Sequence, residues 1–317
     1  MPPRPSLPAD WREALIVLAA LETGLLAAFA EPRAPADAAA AAGLDPRAAR
    51  IVATALVDAG YLEGAPGGEA LSLTPRGAAL LAAPNGDAPD AAGGLHLEAR
   101  AMRSHLALAD SLRTGRPVDD VSAGDPVTTE RFMRAMRHVA SPRVAASVAA
   151  IGPPAAGARL LDVGGAPGTY ARALAGAGWD VTVLDLPGAL AVGGPGLVDA
   201  GVAVVEGDAT RALPDGPWDA VYLGNVLHLF DPGTAAGLVA RAAAALAPGG
   251  LLAVQEVLGD VSPQGPGFGV MMLVSTAAGD AYPEGAYRAW MAAAGCPVER
   301  VVPLEEGWHH LMLGRRA

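Results

Sequence analysis

The hydrophobic pattern changes character near residue 158. Before it, apolar positions recur at helical spacing; after it, short apolar runs alternate with helical stretches. From Asp10, the segment WREALIVLAALETGLLAAFA predicts one helix with Asp10 as its N-cap. Pro35 to Ala42 and Pro46 to Ala59 predict two more, ended by Gly43 and Gly60. Tyr61-Leu62-Glu63 and Leu71-Ser72-Leu73 flank a glycine-rich tip from Gly64 to Gly68, and Thr74-Pro75 opens a further helix. After a loose proline-rich start at 1–8, helices followed by a small two-stranded wing give a winged-helix arrangement over 1–94. Asn85 to Gly94 has the composition of a linker. Residues 95–150 predict a helical connector, with helices from His96 to Leu112 and Thr129 to Ile151 around a Gly/Pro/Asp loop. Over 151–317, apolar runs at 159–163, 180–185, 202–206, 218–223 and 250–257 alternate with helices, which predicts a doubly wound, mostly parallel α/β sheet. A helix from Glu284 to Ala294 then precedes two runs, Val298–Leu304 and Trp308–Leu313, able to pair as an antiparallel hairpin.

Composition narrows the function. The chain has 317 residues, 52% hydrophobic and 17% charged, so it is globular with room for two domains. A net charge of −11 and a complete lack of lysine argue against binding nucleic acid or an anionic membrane. The wing-bearing module carries six arginines against eleven acids, which argues against DNA in particular. The lone Cys296 excludes an internal disulfide and a cysteine-cluster metal site, and no metal is expected. The apolar run Ala14 to Leu21 is too short to span a bilayer, and no leader pattern is visible. A soluble, cytoplasmic protein is expected.

The candidate chemistry centres on Arg159 to Gly168, RLLDVGGAPG. A buried strand around Asp162 runs into Gly164, Gly165 and Gly168, which let bare backbone approach a ligand, and a helix starts at Thr169. This arrangement suits a nucleotide-like ligand at the carboxyl end of a parallel sheet. Asp185 ends the next strand, 23 residues on, where an acid can take both ribose hydroxyls of NAD or S-adenosylmethionine (SAM); capping the helix at Pro187 is the competing role. Asp208, in EGDA after the third run, can accept from an adenine amino group. His228 follows the fourth run and Glu256 ends the fifth, both at the ligand-binding edge. The remaining histidines carry less. His96 and His105 lack a metal-binding partner, His138 lies beside arginine, and His309 and His310 face opposite ways on the last strand, so at most one reaches a pocket. Met271 and Met272 can line an apolar pocket or pack in the core.

Taken together, LLDVGGAPG, VLDLP, EGDA, VLHLFDP, LAPGGLLAVQE and YRAWMAAAG resemble the SAM-dependent small-molecule O-methyltransferases of plants and bacteria, over nearly the whole chain. The resemblance implies a Rossmann-like class I methyltransferase domain behind an N-terminal winged-helix dimerisation domain, and hence a homodimer. It implies that Asp162, Gly164 and Gly165 hold the methionine part of SAM, Asp185 and Leu186 the ribose, and Asp208 and Ala209 the adenine. Ala166, Gly168, Asn225 and Met136 complete the cofactor lining. His228 falls on the family's general base and Glu256 on the carboxylate flanking it. Phe132 and Met136 match a helix closing over cofactor and substrate, and Met272 joins them against the substrate. Three positions depart from the family. Ala166 replaces the middle glycine of DxGxGxG, putting a methyl where backbone meets cofactor. Ala281 stands where plant members carry a second carboxylate, and Leu229-Phe230 stands for their Asp-Trp.

The expected reaction moves a methyl from SAM to a hydroxyl of an aromatic or polyketide-like small molecule, leaving S-adenosylhomocysteine. Transfer to nitrogen or carbon, or a non-methylating reaction with SAM bound, are the alternatives. An NAD-dependent oxidoreductase is disfavoured, because no Tyr-x-x-x-Lys dyad is possible without lysine.

Overall fold

The computed structural model describes residues 11–64, 70–82, 90–120 and 126–317. The expected cap Asp10, most of the wing tip, and 85–89 of the linker lie outside them. The chain divides into two compact units, Met1–Arg100 and Ala101–Ala317.

In the first unit α1 spans Trp11–Glu22 and stops there, shorter than the expected helix. A turn at Thr23-Gly24 interrupts it, and a short 3-10 turn, Ala27–Phe29, follows. Next come α2 (Pro35–Ala42) and α3 (Pro46–Asp58), the latter capped by the Asp45 carboxylate on the Ala48 amide. The strands β1 (Leu62–Glu63) and β2 (Ser72–Leu73) pair antiparallel and lead into α4 (Pro75–Leu81), capped by Thr74. Leu18, Leu26, Phe29, Leu56 and Leu62 form this unit's core. Next, α5 (Ala91–Leu106) begins inside the expected linker, because the buried Asp90 carboxylate accepts the Gly93 amide and caps it.

The remaining helices and strands belong to the second unit. The expected helix to Leu112 breaks at Ala107, before α6 (Leu108–Thr114); nothing in the local residue types marks that break. Pro142, which lacks an amide hydrogen, explains why α7 (Pro126–Ala140) and α8 (Val144–Ile151) are two helices and not one. The sheet contains β3 (Arg159–Val163), β4 (Asp180–Asp185), β5 (Ala203–Glu206), β6 (Trp218–Gly224), β7 (Leu246–Glu256), β8 (Val298–Leu304) and β9 (His309–Arg315). Its order among the described residues is β5-β4-β3-β6-β7-β9-β8, with β9 alone reversed, so that it pairs antiparallel with both β7 and β8. Strand β7 starts earlier than the apolar run suggests. Pro248-Gly249-Gly250 is an irregularity inside it, where the register against β6 shifts.

The apolar sheet needs cover on both faces. One face packs against α11 (Pro232–Ala245) and α13 (Glu284–Ala293) through Leu223, Val254, Leu238 and Met291. The other packs against α9 (Thr169–Gly176) and α10 (Pro187–Asp199) through Leu160, Val181, Leu174 and Leu197. A further helix, α12 (Gly265–Ser275), follows β7. Since β4 lies to one side of β3 and β6 to the other, strand order reverses at β3, and in sheets of this kind ligands bind at the carboxyl ends of the strands there. No helix among the described residues is long and apolar enough to cross a membrane.

Candidate active site

The β3–α9 loop lies at that reversal. Asp162 is 2% exposed, and its Oδ2 has no hydrogen-bond partner. Burial, with the Asp185 charge adding to it, pushes its carboxyl up to about 8. Gly165 lies directly over this group: a Cβ there would stand 2.5 Å from Oδ2, so only bare backbone fits. Gly168, at φ +90°, would drive a Cβ into Leu197. A buried, unpartnered carboxyl under a glycine cradle suits a ligand carrying positive charge.

Asp185 does not cap α10, whose N-cap position is Leu186 with no side-chain cap. Its Oδ2 accepts the Ala166 amide at 2.9 Å and its Oδ1 the Leu186 amide at 2.7 Å, so it ties the glycine loop to the start of α10. Leu186 itself is exposed. The Ala166 methyl, which the sequence places against the cofactor, is buried in a small cluster with Met133, Ala189 and Phe132. Packing against α7 and α10 takes it up. Met136 is half-buried on the same helix, α7. Asp208 uses Oδ1 on the Thr210 amide and hydroxyl, which with Arg211 holds its carboxyl below the ordinary range. The Ala209 carbonyl accepts from Arg241. Asn225 sits in a left-handed conformation (φ 58°) after β6, with its Oδ1 buried and unpartnered.

His228 lies in a 3-10 turn, Leu227–Leu229, just beyond β6. Glu256 ends the neighbouring β7, and the parallel register Gly224↔Gln255 brings the two side chains together. Their contact, His228 Nδ1 to Glu256 Oε2, is 2.6 Å. Oε1 of Glu256 accepts the Leu227 amide at 2.7 Å and the Val226 amide at 3.1 Å, so the carboxylate is fully engaged and buried. This fixes the imidazole tautomer: Nδ1 carries the hydrogen toward Glu256 and Nε2 is left as acceptor. Phe268, on α12, meets the His228 ring edge-on at 4.9 Å. Met272 is buried farther along that helix.

Sequence inspection missed several of these neighbours. Phe268 carries no motif. Gly279 packs so closely on the His228 carbonyl that a Cβ would collide with it, and the Asp280 amide donates to that carbonyl at 3.1 Å. His309 and His310 are both buried, and they meet different partners, as residues facing opposite ways on one strand do. His310 Nδ1 lies 3.3 Å from Ser262 Oγ, whereas His309 joins a buried cluster with Arg143 and Glu305.

The model for the methyltransferase domain matches residues 134–301, just over half of the chain. The chain belongs to the SAM-dependent small-molecule O-methyltransferases. A mitomycin biosynthesis 6-O-methyltransferase from Streptomyces lavendulae is 30% identical to it, over 66% of this chain and 64% of that protein. The chain therefore spans a little under two thirds of that relative's length. Acetylserotonin O-methyltransferase from Mus musculus molossinus is 32% identical over 89% of this chain and 80% of its own. Among solved structures, an O-methyltransferase from neocarzinostatin biosynthesis, in complex with S-adenosylhomocysteine and 1,4-dihydroxy-2-naphthoic acid, superposes with a TM-score of 0.74. It is 26% identical, and the match covers 98% of this chain and 97% of that one.

Proposed function

We propose that this methyltransferase moves the methyl group of SAM to a phenolic hydroxyl of an aromatic natural-product intermediate, with His228 as general base. The observation that carries this reading is the His228–Glu256 pair, 2.6 Å apart and buried at the sheet edge beside the glycine loop. The related structure with a dihydroxynaphthoic acid and S-adenosylhomocysteine supports the substrate class and cofactor.

When bound, SAM supplies a methyl group on a positively charged sulfonium. The unpartnered Asp162 carboxyl and the bare backbone of Gly164, Gly165 and Gly168 hold its methionine end. Asp185, with two lone-pair positions left after its amide bonds, holds the ribose beside Leu186. Asp208 and Ala209 take the adenine, while Ala166, Asn225 and Met136 line the remainder. Phe132, Met136 and Met272 face the acceptor with His228. A phenol, with a pKa about 10, is a weak nucleophile at neutral pH. His228 Nε2 accepts its proton as attack proceeds, and Glu256 stabilises the imidazolium that forms. Alignment in a dry crevice supplies the rest of the rate.

SAM is expected to raise the melting temperature and NAD to leave it unchanged, since a ligand bound only to the folded chain stabilises it by about 2.7 kcal/mol at one hundred times Kd. In Asp185→Ala most of the shift should vanish; thermal melts with each cofactor check both. A shift that survives the substitution leaves Asp185 with its two amide bonds and no part in holding the cofactor.

The working unit is a cytoplasmic homodimer joined through the N-terminal unit. Trp11, Leu15 and Ile51 are exposed there, and burying them against a second copy removes apolar surface from water. A lone buried cysteine suits a reducing compartment. Sedimentation at micromolar concentration is expected to give twice the chain's mass, and a single-chain mass refutes the dimer.

A further inference from the structure

Arg143 is 3% exposed at the start of α8, an unusual place for a guanidinium. Its Nε and Nη2 both lie 3.0 Å from Glu305 Oε2, and its Nη1 lies 3.0 Å from His309 Nε2. Glu305 reaches it from the β8–β9 turn by way of a left-handed backbone (φ 49°). Arginine only donates, so His309 Nε2 must accept, and the imidazole hydrogen resides on Nδ1. Burial, with Arg143 and His228 reinforcing it, pushes the His309 imidazole down to about 2, so the ring stays neutral.

The Nδ1–H of His309 is buried and has no hydrogen-bond partner; the nearest carboxylate oxygen, Glu305 Oε2, is 4.0 Å away. An unmet buried donor is costly. The pairing of His310 with Glu256 places His309 at the carboxyl edge of the sheet, one residue past the end of β7, in the neighbourhood of the base. A neutral, tautomer-locked donor at the same sheet edge as a general base is suited to an acceptor oxygen on the same ligand.

We propose that His309 Nδ1–H donates to a carboxylate or carbonyl oxygen adjacent to the phenol that is methylated, with Arg143 as the positioning residue that locks the ring. This rests on the reading of the site as a phenol O-methyltransferase and narrows its substrate to phenols flanked by an acceptor oxygen. The other source of such an oxygen is the methionine carboxylate of the cofactor.

The two ring nitrogens can be tested separately. Glutamine places its amide near the Nε2 position and keeps an acceptor for Arg143 without the Nδ1 donor. Asparagine places its amide near Nδ1 and keeps that donor but loses the arginine contact. The probes are 1-hydroxy-2-naphthoate and 1-naphthol, titrated into the complex with S-adenosylhomocysteine and assayed as acceptors with SAM. The native protein should bind the carboxylate-bearing probe at least about tenfold more tightly. His309→Gln should reduce that ratio to near one, and His309→Asn should restore most of it. A purely structural role predicts the reverse, with Gln mild and Asn damaging. Equal affinity of the native protein for both probes, or an unchanged ratio in His309→Gln, overturns the inference while methyl transfer itself persists. Weakened binding of S-adenosylhomocysteine in His309→Gln, with the probe ratio intact, reassigns the donor to the cofactor and overturns it too. Transfer to neither probe overturns the phenol reading together with the inference.

Discussion

His228→Ala is expected to lower methyl transfer at neutral pH by about 10² to 10⁴, the range for loss of general-base help. The reason is the geometry of one proton. Glu256 takes the Nδ1 hydrogen at 2.6 Å, so Nε2 is the only nitrogen left to accept from a phenol. Without it the phenol must ionise unaided, and with a pKa about 10 only ~0.1% does so at pH 7. Much of the loss should therefore return as pH approaches 10. SAM binding should persist, because the ring is held by Glu256 and Phe268, neither of which belongs to the glycine loop. Glu256→Gln should cost less in rate, yet it places an amide NH₂ or a neutral carbonyl where a carboxylate accepted three hydrogen bonds. Single-turnover rates from pH 6 to 10 check this prediction. An unchanged rate in a folded His228→Ala protein with native SAM affinity removes the histidine from catalysis.

Asp162 should make cofactor binding depend steeply on pH. Its carboxyl stays protonated up to about 8 in the ligand-free protein, chiefly through burial. Holding the cationic methionine end requires the ionised form, so a proton leaves as SAM enters. Affinity should then rise about tenfold per pH unit between pH 5.5 and 7. Above that range the amino group of the ligand, with a pKa about 8, begins to lose its own charge. Calorimetry at pH 6.5 in two buffers of different ionisation enthalpy should report release of about one proton. The same group shapes stability. Its folded-state pKa lies above the ordinary carboxylate value, so its contribution is complete below about pH 4 and is lost as pH rises through about 8. Asp162→Asn should flatten that part of the ligand-free melting profile and abolish the proton release. Binding in the native protein without proton release refutes the assignment.

Much of the architecture was legible because its signals are local. β3 and β4 match the apolar runs at 159–163 and 180–185, and Val298–Leu304 is recovered as β8. Pro35, Pro46 and Thr74-Pro75 mark helix starts that any short window of sequence reveals. His228 and Glu256 were both placed at the ligand edge by the strands that precede them. Each of these depends on side-chain type and period over a few residues, which the chain carries wherever it is read.

Only the tertiary structure decided which groups meet and which lose their water. The 2.6 Å contact between His228 and Glu256 follows from β6 and β7 lying side by side in one register, and it alone selects Nε2 as the acceptor. The direction of the Ala166 methyl was settled by the small residues α10 offers it and by Met133 on α7. Arg143 and His309, separated by 166 positions, look ordinary in the sequence. Folding buries both, and burial turns a surface-type arginine and a neutral imidazole into a locked pair. Desolvation and non-local pairing act on atoms brought together in space, so a linear pattern does not contain them.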